Sequence, residues 1–184
     1  MPKFLLLDRD GVINRRIENG YVASWEQFTF LPGSLEALRL LAQHQYAPVV
    51  VSNQASVAKG LVTQEQLDAI TGRFLDEVRN AGGRIEAVFY CPHRDEDGCD
   101  CRKPKPGLLQ RAQRKYGFNF AETFMVGDSM VDMQAAAGAG CPALLIAESA
   151  SEEGLWLPPS PVAVLPSLYE AAEFLVARDG GQRT

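Results

Sequence analysis

Short apolar runs alternate with stretches whose apolar positions recur every three or four residues, along nearly the whole chain. The runs at 4–7, 48–53, 87–90, 123–126, 143–146 and 162–164 read as buried strands. Leu35, Leu38, Leu41 and Ala42 mark one face of a helix over 34–43, with Gly33 just before it. Thr63-Gln64-Glu65-Gln66 is a capping box. The helix it opens carries Leu67, Ile70, Phe74 and Val78 at helical spacing, and Gly82-Gly83 stops it. Further helices are expected from about 108 to 116, in an Ala-rich stretch around 135–139, and over 168–176. Residues 149–161 read as a Pro-rich loop and 179–184 as a frayed polar tail. This alternation predicts an α/β fold, a Rossmann-like parallel sheet with helices on both faces. Residues 1–178 form one domain in this reading. No insertion is long enough for a separate folded cap, so the site should be open.

The polar residues that matter sit where strands end. The first strand runs into Asp8-Arg9-Asp10-Gly11, and Gly11 lets the chain turn there. In open α/β sheets, ligands bind beyond the carboxyl ends of the strands. Two carboxylates this close repel unless a proton or a cation lies between them, and a hard ion such as Mg²⁺ suits them. One carboxylate can then attack an electrophile while the other moves a proton. The second strand ends in Ser52-Asn53, and the fourth in Gly127-Asp128, with Asp132 one helical turn on. Asp128 completes a metal site with Asp8 in this reading, or merely caps a helix. Asp132 is placed to orient a ligand or a lysine.

The basic element is Arg102-Lys103-Pro104-Lys105-Pro106-Gly107. Its prolines stiffen it, and Arg102 and Lys103 are expected to meet a phosphate. Lys105 is evenly balanced between that role and a solvated loop. Just upstream, Cys91, His93, Cys99 and Cys101 form a Cys₃His set, a standard ligand set for structural Zn²⁺. A closed four-ligand site would staple the loop that delivers Arg102 and Lys103. Cys141, alone beside an apolar run, reads as a small buried hydrophobe, and His44 as a surface residue in a turn. Trp25, Phe28 and Phe30 pack either over the site or into the core.

The chain has 184 residues, 46% hydrophobic and 22% charged, with a net charge of −5. That acidity argues against nucleic acid as a partner. The run at 4–7 is too short for a signal sequence, and nothing approaches the roughly 18 apolar residues of a membrane span. A cytoplasmic monomer with no membrane partner is the expectation. In that compartment, clustered cysteines bind metal more often than they pair.

With these residues in hand, the chain resembles the haloacid dehalogenase superfamily of phosphotransferases. Asp8-Arg9-Asp10-Gly11 is similar to its first motif, Ser52-Asn53 to its second, Lys103 to its third, and Gly127-Asp128 with Asp132 to its fourth. More narrowly, the chain resembles a capless, zinc-containing branch of phosphatases. The matching stretches are 8–14, 52–60, 91–107 and 126–137. The resemblance implies that Asp8 is the nucleophile and forms an aspartyl-phosphate. Asp10 protonates the leaving alcohol and then activates water. Ser52 and Asn53 face the phosphoryl group, Lys103 neutralises it, and Arg102 helps to hold the sugar or phosphate. Mg²⁺ is held by the Asp8 carboxylate, the Asp10 backbone carbonyl and Asp128. Lys59, in Gln54-Ala55-Ser56-Val57-Ala58-Lys59-Gly60, stands where relatives usually carry Arg, and Ser129 where some carry Lys. Both bear on how a second phosphate or the sugar hydroxyls are held.

The implied substrate is a small phosphorylated sugar, with D-glycero-D-manno-heptose 1,7-bisphosphate the first choice and histidinol phosphate the alternative. A nucleic-acid 3′-phosphatase and a non-catalytic zinc-stabilised binding module rank below both. The first lacks a basic stripe, and the second does not account for intact Asp8, Asp10, Lys103 and Asp128.

Overall fold

The computed structural model describes residues 2–147 and 159–181. Six strands form one sheet: β1 (Lys3–Leu7), β2 (Tyr46–Asn53), β3 (Ala87–Cys91), β4 (Met125–Gly127), β5 (Ala143–Ile146) and β6 (Ala163–Leu165). All are parallel, in the order β3-β2-β1-β4-β5-β6. The chain therefore winds outward in one direction from β1 to β3 and in the other from β4 to β6. The crevice between the carboxyl ends of β1 and β4 is the switch point where such sheets bind ligands. Asp8 and Asp128 lie at those two ends.

Five helices cover the sheet: α1 (Ser34–Gln43), α2 (Gln64–Asn80), α3 (Gly107–Tyr116), α4 (Met130–Ala139) and α5 (Leu168–Gly181). Side chains alternate across each strand, so the two faces collect different residues. Leu5, Leu7 and Val50 pack with Leu38 and Leu41 of α1, Phe74 of α2 and Leu175 of α5. Leu6, Val49 and Val51 pack with Leu108 and Leu109 of α3 and Met133 of α4. Burial on both faces is why the strands read as continuous apolar runs.

The elements follow the sequence reading with four differences larger than one residue. First, β2 begins at Tyr46, ahead of Pro48. The Pro48 carbonyl accepts from Glu86 N–H at 2.7 Å, so the missing N–H of Pro48 falls on the same side, where the ladder with β3 has not yet begun. Second, Thr123 and Phe124 precede β4, because Thr123 folds back onto Asn119. Third, α4 starts at Met130. It is apolar on nearly all sides, so periodicity could not mark its onset. Fourth, α5 continues to Gly181, and Asp179 in its last turns accepts from Tyr46 Oη at 2.7 Å and Lys3 Nζ at 2.5 Å. That stretch of the expected tail is held against the sheet. The Pro-rich loop falls mostly outside the described residues.

Candidate active site

Asp8 leaves β1 at the switch point, where its Oδ1 accepts from Lys103 Nζ at 2.9 Å. The same ammonium donates to Asp132 Oδ1 at 2.6 Å, and Asp132 Oδ2 accepts from the Ser129 hydroxyl at 2.7 Å. Asp8, Lys103 and Asp132 are all buried. Burial opposes charge on Lys103, but the two carboxylates outweigh it and hold its pKa above the ordinary lysine value. Burial pushes the Asp8 carboxyl up, Lys103 pulls it down, and Asp132 and Asp10 push it up again. With both oxygens engaged, Asp132 serves to fix the lysine.

Asp128 faces Asp8 across the crevice. Gly11, at φ +88°, makes this possible: a Cβ there would lie 1.7 Å from Asp128 Oδ2. Gly127 does the same for Asp132, whose Cβ would sit 2.3 Å from a side chain at that position. Burial, and then the nearby Asp8, push the Asp128 carboxyl up to about 7, against the pull of Arg16. Carboxylate oxygens of Asp8, Asp128 and Asp132 lie within 4.8 Å of one another, an all-oxygen set suited to a hard divalent cation. Arg16 Nη2 donates to Asp128 Oδ1 at 2.7 Å and reaches the Asp10 backbone carbonyl at 3.5 Å.

The Asp10 side chain is surrounded by donors. Arg9 Nη2 lies 3.1 Å from both carboxylate oxygens, Asn14 Nδ2 2.8 Å from Oδ1, and Gln54 Nε2 2.5 Å from Oδ2. Gln54 also reaches Ser52 Oγ at 3.2 Å, which ties the ends of β1 and β2 together. Arg9 is fully buried between the rings of Phe28 and Tyr90, and its Nη1 donates to Tyr90 Oη at 3.1 Å. Phe28 in turn stacks on Trp25 and meets Phe30 edge-on, so these three aromatics belong to the core beneath the site.

The crevice opens into a cleft of about 550 Å³ that Asp8, Asp10, Ser52, Lys59, Arg102 and Lys103 help to line. Asn53 also borders it, yet its side chain is committed elsewhere: Oδ1 accepts from Lys103 N–H at 3.1 Å and Nδ2 donates to the Lys103 carbonyl at 2.9 Å. This clamp ties the end of β2 to the backbone of Lys103. Arg102 bonds to the Asp95 carboxylate and donates to the His93 carbonyl at 3.2 Å. Lys59 Nζ sits 5.2 Å over the Tyr21 ring.

The Cys/His loop leads directly into Arg102 and Lys103. One ligand atom from each of Cys91, His93, Cys99 and Cys101 lies within 4.8 Å of the others, and all four cysteines of the chain are free thiols. Lys105 Nζ donates to the carbonyls of Gly98 and Cys99 at 3.0 and 2.8 Å, so its charge serves this loop. Cys141 is buried and His44 exposed, as their sequence contexts suggest.

Residues 100–171 match a family model described as HAD-hydrolase-like. A D-glycero-beta-D-manno-heptose-1,7-bisphosphate 7-phosphatase of Bordetella bronchiseptica is 41% identical over 144 residues, 78% of this chain and 80% of that protein.

The chain belongs to the haloacid dehalogenase-like hydrolases.

A Pseudomonas aeruginosa protein of the same name is 38% identical over 142 residues, 77% of this chain and 79% of its own length. The crystal structure of the D,D-heptose 1,7-bisphosphate phosphatase from B. bronchiseptica, complexed with magnesium and phosphate, superposes with a TM-score of 0.89 at 37% identity. It covers 96% of this chain and 99% of that one.

Within this haloacid dehalogenase-like site, Asp8, Asp10, Ser52, Lys103 and Asp128 converge as the strand ends suggest. Arg102 and Lys59 also line the cleft. Sequence reasoning passed over Arg16, Asn14, Gln54 and the burial of Arg9. Asn14 and Gln54 directly follow the segments that carry motifs, and that proximity was the available signal. Arg16 stands in a loop with no periodicity and offered none.

Proposed function

We propose that this chain removes the 7-phosphate from D-glycero-β-D-manno-heptose 1,7-bisphosphate through an aspartyl-phosphate on Asp8. The carrying observation is the single buried ammonium of Lys103 shared by Asp8 and Asp132 at the switch point, opposite Asp128. It supplies a nucleophilic carboxylate, fixed in place, beside a cation that can face phosphoryl oxygens. Likeness to phosphatases named for this substrate supports the choice of sugar.

The Asp8 carboxylate attacks phosphorus and the ester oxygen departs with the proton of Asp10. The donors on Arg9, Asn14 and Gln54 stabilise the Asp10 carboxylate this leaves. That carboxylate then takes a proton from water as the water's oxygen bonds to phosphorus. The bond to Asp8 breaks, and inorganic phosphate leaves. Ser52 donates its hydroxyl to the phosphoryl group, and Lys103 offsets its charge. Phosphoryl transfer needs mainly such positioning and charge stabilisation. Magnesium fits the donor set of Asp8, Asp128 and the Asp10 carbonyl, where Arg16 already places a positive charge, and when bound it would neutralise phosphoryl oxygens. Asn53 positions Lys103, while Arg102 and Lys59 on the cleft wall take the second phosphate.

The Cys91, His93, Cys99 and Cys101 set holds structural zinc in this reading. The ligands of tetrahedral zinc stand about 3.6–3.8 Å apart, given Zn–S bonds of about 2.3 Å. Here Cys101 lies 3.2 Å from Cys91 and 3.5 Å from Cys99, and His93 Nδ1 lies 3.3 Å from Cys101 and 3.6 Å from Cys91. Free thiols accord with a cytoplasmic enzyme. Among the described residues no helix is long and apolar enough to cross a membrane. The enzyme acts as a monomer in this proposal.

Phosphate release from a substrate panel tests the proposal. The heptose bisphosphate should give the highest kcat/KM and yield the 1-phosphate. A preference for histidinol phosphate, or for a 3′-phosphorylated oligonucleotide, would overturn the substrate. No turnover on any phosphomonoester would overturn the reaction.

A further inference from the structure

The loop after β1 carries a cation that the reaction above does not use. Arg16 Nη2 donates to Asp128 Oδ1 at 2.7 Å and approaches the Asp10 carbonyl at 3.5 Å. Those are two of the three oxygen sources assigned above to magnesium. A guanidinium and a divalent cation repel each other and cannot both occupy that corner. The two cations of the site are built differently. Lys103, which the reaction keeps, has a side chain only 2% exposed and gripped by two carboxylates. Arg16 has a side chain 52% exposed and meets a single carboxylate, that of Asp128. Asp128 is the more confined partner, its side chain 15% exposed and its Oδ2 against Gly11, where not even a Cβ would fit. The arginine is therefore the partner free to move.

We propose that Arg16 is a tethered cation that occupies the Asp128 corner of the metal site until Mg²⁺ displaces it. The proposal rests on the magnesium site of the function given above. It explains how a crevice holding three close carboxylates stays tolerable before metal arrives. It also gives magnesium binding a built-in competitor. Apparent affinity falls by the fraction of time the competing contact is formed. For an ion pair this exposed, that is a reduction of about twofold to sixfold. The displaced guanidinium stays on the cleft wall, in the space that Lys59 and Arg102 also line.

Two measurements on the whole chain decide this. Calorimetric titration of Mg²⁺ into metal-free protein should show R16Q binding about twofold to sixfold more tightly than wild type. In the wild type, the Nε–Hε resonance of Arg16, assigned by its loss in R16K, should shift on adding Mg²⁺ with the calorimetric midpoint. R16Q binding no more tightly than wild type would overturn the proposal. So would an Arg16 resonance unmoved at saturation, even beside a tighter R16Q, since that pattern means long-range repulsion and not exchange. Should R16Q fail to fold, the wild-type resonance alone settles the matter. A wild type that binds no Mg²⁺ would instead remove the metal site and the function built on it.

Discussion

Replacing Lys103 with Met tests the charge design of the site at its most buried point. Met fills much of the same volume, so the change mainly removes one positive charge from between two carboxylates at 2.9 and 2.6 Å. Removing one partner of a buried pair typically costs about 3–5 kcal/mol, because a lone charge is left behind. Here protonation caps the cost. One carboxylate can take up a proton, and for a group of ordinary pKa near 4 this costs about 1.4 kcal/mol per pH unit, or about 4 kcal/mol at pH 7. The penalty should therefore shrink as pH falls, to about 1–2 kcal/mol at pH 5. In a chain of this length, about 4 kcal/mol lowers Tm by roughly 8–16 °C. Urea and thermal unfolding of the metal-free protein at pH 7 and pH 5 give both figures. Saturating Mg²⁺ should restore part of the stability, while kcat stays roughly 10²–10³-fold down for want of the phosphoryl-facing charge. A penalty below about 1 kcal/mol at pH 7, or one independent of pH, would refute the reasoning that Lys103 is held by two ionised carboxylates.

Asp10→Asn should lower kcat/KM far more with a sugar phosphate than with an aryl phosphate, whose leaving group needs no proton; kcat/KM reports the attack step alone, and equal losses in it would contradict the acid role. Asp128, raised to about 7, should link magnesium to protons. A carboxyl whose pKa rises on folding contributes stability at pH 4 that is lost as pH climbs through 7. Calorimetry should accordingly show Mg²⁺ affinity rising from pH 5 to about 7 and then levelling, with the slope weakened in Asp128→Asn. Elemental analysis of protein purified without added metal should find one zinc per chain, lost in Cys99→Ser together with thermal stability and most of the activity.

The strand ends were legible because burial and chemistry coincide there. A buried run such as Leu5-Leu6-Leu7 that stops in two carboxylates marks a strand end, and parallel strands bring such stops to one edge. The Cys₃His cluster was legible from residue type alone, since its four residues lie within eleven positions from Cys91 to Cys101, and the fold brings their ligand atoms within 4.8 Å of one another. What stayed hidden depends on contacts between distant segments. The clamp between the Asn53 side chain and the backbone of Lys103 joins residues fifty positions apart, and nothing in the local sequence marks it. The burial of Arg9 was equally hidden: the rings of Phe28 and Tyr90 enclose it so that it can serve Asp10. The start of helix α4 escaped because periodicity needs polar residues on the solvent side, and α4 is apolar there as well as toward the core.

The most direct test of the central claim is to look for the phosphoryl group on Asp8. Asp10→Asn turning over an aryl phosphate retains the attack but lacks the base that activates water, so the covalent intermediate should accumulate. Acid quench and borohydride reduction would convert an aspartyl-phosphate to homoserine, which mass spectrometry of the peptide containing residue 8 detects. The account predicts homoserine at position 8, rising with the burst of released phenol and absent without substrate. Phenol release with position 8 still aspartate throughout, or homoserine at another acidic residue, would contradict it.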